Sequence, residues 1–196
     1  MELIHNRGTI SQGRLFQDYP TYKMAKWYCF TCGFSVVPLK VHSKQRLFAG
    51  NHFQTWFPCE EHLRKWFCTR QPYNLAIVPG EVSGNLVVID FDDFAVYQVW
   101  SSLIPDATDL PAVRSSRGVH VYVRLETMPT NGKACFDGLL CGDVIARGSI
   151  TAPPSTHPSG HVYRWIGNPG AGPLFSCLAS LGIERVTEGR SESKKP

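Results

Sequence analysis

The chain has 196 residues, 43% of them hydrophobic, 12% aromatic and 18% charged, with a formal net charge of +4. That describes one ordinary globular domain with room for a sizeable core. No apolar run approaches the roughly 20 residues needed to cross a bilayer. Met1 to Ile10 is polar and lacks a basic-then-apolar leader. An intracellular, cytoplasmic protein without a membrane partner is therefore expected. The mildly basic balance is compatible with a polyanionic partner but does not prove one.

Residues 1–20 show weak periodicity and read as an N-terminal arm. Tyr22 to Cys32 carries helical spacing, and Gly33 suits the left-handed position that ends a helix. Phe34 to Leu39 follows as a short strand. Lys40 to Phe53 is a polar loop with Lys40, His42, Lys44, Arg46 and His52. It is either a solvated basic loop or a contact for phosphate and nucleic acid. Pro58 to Phe67 is a second helix with Leu63, Trp66 and Phe67 on its apolar face. Asn74 to Gly80 is a strand and turn.

The seven cysteines are scattered and odd in number, which fits free thiols in a reducing compartment. Cys29 and Cys32 form a C-x-x-C whose conceivable zinc partners are Cys59, His62 and Cys68. A second C-x-x-C is absent, so core packing is favoured over structural zinc.

Asn85 to Asp93 is the centre of the chain. Leu86 to Ile89 reads as a buried strand running into Asp90 and Asp92. Side chains on a strand alternate, so these two carboxylates share a face. They repel unless a cation lies between them or one is protonated. A hard divalent ion such as Mg2+ satisfies oxygen ligands of this kind. Alternatively the acids simply end the strand, and Asp93 suits the N-cap of a helix from Phe94 to Leu103.

Ala112-Val113 is a further strand. Val119 to Arg124 alternates, with Val119, Val121 and Val123 on one side and His120, Tyr122 and Arg124 on a polar face. The preceding Ser115-Ser116-Arg117-Gly118 turn offers hydroxyls, backbone N–H groups and a guanidinium to phosphate oxygens. Asp143 to Ala146, Ser149 to Ala152 and Tyr163 to Ile166 are strands, and Phe175 to Leu181 is a closing helix. Residues 186–196 form a polar tail without periodicity. Strands and helices without regular alternation indicate an α+β domain. Asp143 is the candidate to complete a three-carboxylate cluster.

The order of these segments resembles the bifunctional primase-polymerase domain of the archaeo-eukaryotic primase superfamily. The resemblance rests on Gly33 with Val37-Pro38-Leu39, Lys44, Trp66, and Asn74 with Gly80. It continues with Ile89-Asp90-Phe91-Asp92, Ser115 to Tyr122, Asp143, Pro153-Pro154-Ser155-Thr156-His157 and Tyr163-Arg164-Trp165. It spans roughly residues 22 to 166 in collinear order, far more specific than one motif. Ser116 stands where the family has the first glycine of the turn. Ile145 stands where it usually has an arginine, with Arg147 two further on. The family's zinc-bearing insertion has no clear counterpart.

The resemblance implies a core related to the RNA-recognition fold: a mixed sheet with flanking helices and a packed N-terminal α/β unit, over residues 21–185. It implies template-dependent nucleotidyl transfer in DNA replication, as a DNA primase or polymerase. Asp90, Asp92 and Asp143 would hold two Mg2+ or Mn2+ ions. Ser115, Arg117 and His120 would bind the incoming NTP or dNTP, with Lys44 on phosphate or template. Ser155 and His157 would shape the pocket. The implied partners are a single-stranded DNA template and primer, and a helicase of the same plasmid, phage or mobile-element replicon. Two alternatives stay open: a nucleic-acid-binding domain of this fold without catalysis, and a metal-dependent nuclease.

Overall fold

A computed structural model describes residues 19–187 except 42, 71, 72, 106, 168 and 171. His42, the N-terminal arm up to residue 18 and the tail from residue 188 lie outside the described residues. The predicted first helix is present as α1, Pro20–Trp27. Proline at its start is pre-set for helical φ and has no N–H to leave unsatisfied. The chain continues through one wider π turn, Tyr28–Cys32, and stops at Gly33 with φ 72°. Tyr28, Cys29 and Cys32 are all buried there. Burial pushes the Cys29 thiol up to about 12 and the Cys32 thiol up to about 11, as expected of packed, unreactive sulfur.

The first sheet has three strands: β1 (Ser35–Leu39), β2 (Asn74–Val78) and β8 (Ile150–Ala152), in the order β1-β2-β8. Both β1 and β2 are buried at every position. Val36, Leu75, Ile77 and Ala152 face the larger core with α1 and α2 (Glu60–Phe67), while Val37, Leu39, Ala76 and Val78 close over Phe53. Glu60 locks the two helices together. It accepts from the Tyr22 hydroxyl at 2.8 Å, Lys26 Nζ at 3.1 Å and Arg64 Nη2 at 2.7 Å. Those donors, Arg64 first, hold its carboxyl down at about 2.

The second sheet is larger. It holds β3 (Leu86–Phe91), β4 (Ala112–Arg114), β5 (Val119–Leu125), β6 (Gly132–Phe136), β7 (Leu139–Ile145), β9 (Arg164–Trp165), β10 (Leu174–Phe175) and β11 (Ile183–Val186). The strand order is β11-β6-β7-β3-β5-β4-β9, antiparallel throughout, with β10 running parallel beside the far end of β5. Val87, Ile89, Phe91, Val119, Val121 and Val123 face α3 (Phe94–Leu103) and its fully buried Trp100. The Trp100 indole donates to the Leu181 carbonyl at 2.9 Å. Asp93 caps α3 as its position predicts: its Oδ1 accepts from Ala95 N at 2.7 Å. Val88, Val113 and Tyr122 look the other way, into the core shared with the N-terminal layer.

Two expectations are corrected. His120 and Tyr122 do not form a solvated polar face, because the N-terminal layer covers that side and leaves both buried. No closing helix runs from Phe175 to Leu181. Leu174–Phe175 is drawn into the sheet beside β5, which leaves one 3-10 turn, Leu178–Leu181, before Gly182. The strand predicted at Asp143 to Ala146 is the end of β7, while β6, its hairpin with β7, and β11 escaped the sequence reading.

Tyr28 ties the layers together. Its hydroxyl donates to the Pro153 carbonyl at 2.9 Å and accepts from Trp165 Nε1 at 3.1 Å. Tyr28→Phe would leave both partners unsatisfied, and each such orphan costs about 1–3 kcal/mol. A lowered thermal midpoint with unchanged far-UV dichroism is the expected result. An unchanged midpoint would show the hydroxyl to be idle.

Candidate active site

The carboxylate end of β3 opens into a cavity of about 350 Å3 between the two sheets. It is lined by Lys44, Asp90, Phe91, Asp92, Ser115, Ser116, Arg117, Gly118, His120, His157, Ser159 and Tyr163. Four separate stretches build it. β3 carries Asp90 and, one step past its end, Asp92. The β4–β5 turn brings Ser115 to His120 alongside, because Phe91 pairs with Val119 and Asp90 with His120. The 153–163 segment supplies His157, Ser159 and Tyr163, and Lys44 reaches in from the loop after β1.

The turn is stapled by its own serine. Ser115 N donates to the Gly118 carbonyl at 3.1 Å, and Gly118 N donates back to Ser115 Oγ at 3.1 Å. Arg114 Nη1 donates to the carbonyls of Arg117 and Gly118 at 2.8 and 2.6 Å. Ser116 causes no strain, since among the described residues only Asn85 and Asp137 are non-glycine positions with positive φ. The Arg117 side chain is left to face the cavity.

His120 is almost fully buried, with Nε2 3.4 Å from Asp90 Oδ1. Desolvation and then the nearby Lys44 charge push its pKa down to about 3, against a smaller opposing effect of the Thr151 backbone. The ring is therefore neutral at physiological pH. Its Nδ1 makes no well-formed hydrogen bond, and the Tyr163 ring packs against it at 5.6 Å. Asp90 behaves in the opposite way. Burial first, then repulsion from Asp92 and Asp143, raises its carboxyl to about 7, with Lys44 and Arg117 countering only part of this. Such a carboxylate lacks enough positive charge beside it.

That deficit is the fit test for a divalent ion. Asp90 and Asp92 present hard oxygen donors on one side of one cavity, and the site is short of cation. They fit Mg2+ or Mn2+ by donor chemistry. Asp143 is placed differently. It is the register partner of Asp90, on the same face of the sheet, roughly 4.5–5.5 Å away between Cα atoms. Its carboxylate, however, pairs with Lys133 Nζ at 2.8 Å and borders a second groove with Asn131 and Thr187. Among the described residues no three His, Cys, Asp or Glu side chains gather closely enough to hold a metal. The Cys29, Cys32, Cys59, His62 and Cys68 set gathers no such group either; Cys59 Sγ meets only His62 Nδ1, at 2.8 Å.

Ser155 is also diverted. Its hydroxyl accepts from Leu75 N at 2.7 Å and donates to the Leu75 carbonyl at 2.9 Å, so it fastens its loop to β2 and does not line the cavity. His157 does line it, with Nδ1 accepting from Ser159 N at 3.1 Å. Arg147 lies in a different groove, beside Gln54 and Met128. Ser159 and the wall formed by Tyr163 were not singled out from the sequence. Their only local signal is nearness to His157 and membership of the Tyr163-Arg164-Trp165 motif.

Buried His120 and half-buried Asp90 give opposite pH signatures in the metal-free protein. Asp90 has a folded pKa near 7, above its ordinary 3.8. Its favourable contribution is full below about 4 and is lost as pH rises through 7. His120 has a folded pKa near 3, below its ordinary 6.5. Its contribution is present above 6.5 and is lost as pH falls towards 3. Asp90→Asn should therefore match the parent in thermal stability near pH 4 and exceed it above pH 7, in buffers with chelator. A constant difference across that range would contradict a half-buried, repelled carboxylate.

Comparison with known proteins bears on this cavity. A family model described as Prim-Pol, bifunctional DNA primase/polymerase, N-terminal, matches residues 25–181. The search of curated proteins gave no match. The matched span contains every strand of both sheets except β11, and every residue that lines the cavity.

Proposed function

The chain belongs to the Prim-Pol family of bifunctional DNA primase/polymerase N-terminal domains, and on that premise we propose that the cavity performs template-dependent nucleotidyl transfer onto a DNA strand. The observation that carries the reading is two carboxylates, two cationic side chains and a Ser/Gly turn lining one open cavity. Divalent ions held by Asp90 and Asp92 would lower the pKa of the attacking hydroxyl and neutralise the leaving pyrophosphate. Arg117 and Lys44 bind the triphosphate oxygens, Arg117 by its planar fork and Lys44 as a point charge. The Ser115–Gly118 turn holds the phosphates against the end of β3. His120, neutral and packed on Tyr163, orients Asp90 and offers the substrate an uncharged wall.

The primer 3′-hydroxyl gives up its proton to solvent water as its oxygen forms a bond to the α-phosphorus. The bond from that phosphorus to the bridging oxygen breaks, and pyrophosphate leaves. Asp143, paired with Lys133 at 2.8 Å, would be a third ligand only with its carboxylate turned from that ammonium towards Asp90. Residues 21–185 form the catalytic unit in this reading.

The test is a labelled primer–template incubated with Mg2+ or Mn2+, with and without NTPs or dNTPs. Metal- and nucleotide-dependent extension is expected. Binding without extension would identify a non-catalytic DNA-binding domain, and shortening without nucleotides a nuclease.

A further inference from the structure

The basic loop after β1 has a second feature that nucleotidyl transfer does not use. Residues 40–57 hold Lys40, Lys44 and Arg46, no acidic residue, and four aromatics: Phe48, Phe53, Trp56 and Phe57. Backbone pairing folds the loop back along the outer edge of β1, with Lys40 N on the Gln45 carbonyl at 2.9 Å and Leu47 N on the Pro38 carbonyl at 3.0 Å. Lys44 lies at the tip and enters the active-site cavity. Phe48 lies on the returning limb, beside a cleft lined by Arg46, His52, Phe53, Trp56 and Trp66.

The rings form a continuous series. Phe48 is 5.8 Å from Trp66, Trp66 is 5.8 Å from Trp56, and Trp56 is 4.6 Å from His62. Arg46 stands over the Phe53 ring at 4.1 Å. Phe53 and Trp66 are core, and they anchor the series. Phe48 is different: 43% of it is exposed, as is 39% of Phe57. An exposed ring, backed by fixed tryptophans and flanked by cations without acids, suits one class of partner above others. Bases of a single strand stack on such rings while the cations follow the phosphates.

We propose that Phe48, with Trp66 behind it and Arg46 and His52 beside it, is a stacking platform for an unpaired base of the nucleic-acid strand serving the cavity. Phe48 stands four positions after Lys44, so their Cα atoms are at most about 14 Å apart. A strand held at the platform therefore continues into the active site over a short single-stranded reach. The platform deepens the nucleotidyl-transfer reading and rests on it for the identity of the strand.

The experiment measures anisotropy of fluorescein-labelled oligo(dT) with the full chain, in chelator and without nucleotide. Phe48→Leu keeps the apolar bulk and removes the ring, and it should weaken binding by about fivefold or more, the lower end of one base–aromatic stack. Phe48→Trp should bind at least as tightly as the parent. An abasic strand of equal length should bind parent and Phe48→Leu equally. Equal oligo(dT) affinity for parent and Phe48→Leu would overturn the platform and leave the patch as a surface for some other partner, such as a protein. The same loss with the abasic strand would overturn it too, since no base would be involved. A parent protein that shows the oligo(dT) difference from Phe48→Leu but extends no primer would overturn the nucleotidyl-transfer reading and leave the platform standing, so the two failures are read separately.

Discussion

Asp90→Asn is expected to cut metal-dependent nucleotide incorporation by about 10^2- to 10^3-fold, in a protein no less stable than its parent at pH 8. The amide is nearly isosteric but carries no negative charge for a divalent ion, and in such sites loss of one pre-organised electrostatic partner costs on the order of 10^2- to 10^3-fold. Asp90 lies one residue before the end of the central strand of its sheet, beside His120. The stability half of the expectation follows from its environment. Its carboxyl is raised to about 7 by burial and by Asp92 and Asp143, and removing that charge relieves repulsion. Asp92→Asn should lose activity equally but leave stability nearly unchanged, because Asp92 is exposed. Primer extension with Mg2+ and Mn2+, together with thermal melts, decides both. Extension within tenfold of the parent in either variant would end the two-carboxylate reading.

Gly118→Ala should be as damaging by another route. A Cβ at Gly118 would overlap the Phe91 carbonyl oxygen and stand 2.9 Å from the Asp92 carbonyl carbon. These are backbone atoms of the central strand and the residue after it, so no side-chain rotation relieves the clash. The turn must lift away from the carboxylates, which costs about 3 kcal/mol and carries Arg117 out of reach of a triphosphate. Gly142→Ala should behave alike from the other side, since its Cβ would overlap the Asp90 carbonyl oxygen. Gly138→Ala is the control. It meets nothing within 4 Å, although its φ of 74° is strained for alanine, so it should lose only about 1 kcal/mol. A Gly118→Ala midpoint within about 2 °C of the parent, less than about 1 kcal/mol at this chain length, would show that the turn does not need its contact with β3.

Much of the site could be read from local chemistry. An apolar run ending in Asp90 and Asp92 dictates a buried strand whose last acids share a face, and β3 carries them so. Asp93 before an apolar stretch dictates a cap, and α3 begins there. The Ser115-to-Gly118 turn closes on its own hydroxyl, a bond that needs no distant partner. Each depends on neighbours a few residues apart, which is why sequence sufficed.

The rest depended on which distant strand came alongside. Lys133 neutralises Asp143 because β6 pairs with β7 in a register that sets the two opposite. Ser155 turned from pocket wall to fastener because β2 offered it the Leu75 backbone. His120 and Tyr122 were buried by a layer formed from α1, α2 and the small sheet, and the alternation within β5 carries no trace of that layer. Phe175 left its helical pattern because the free edge of β5 offered hydrogen bonds, with Glu126 N on the Phe175 carbonyl at 2.9 Å. The sequence by itself determined the two adjacent acids, the capped helix and the phosphate-sized turn, since these follow from spacing and backbone chemistry over a few residues. Only the tertiary structure decided the state of the third acid, the neutrality of the histidine and the exposure of Phe48, because desolvation and charge pairing are set by residues far apart in the chain.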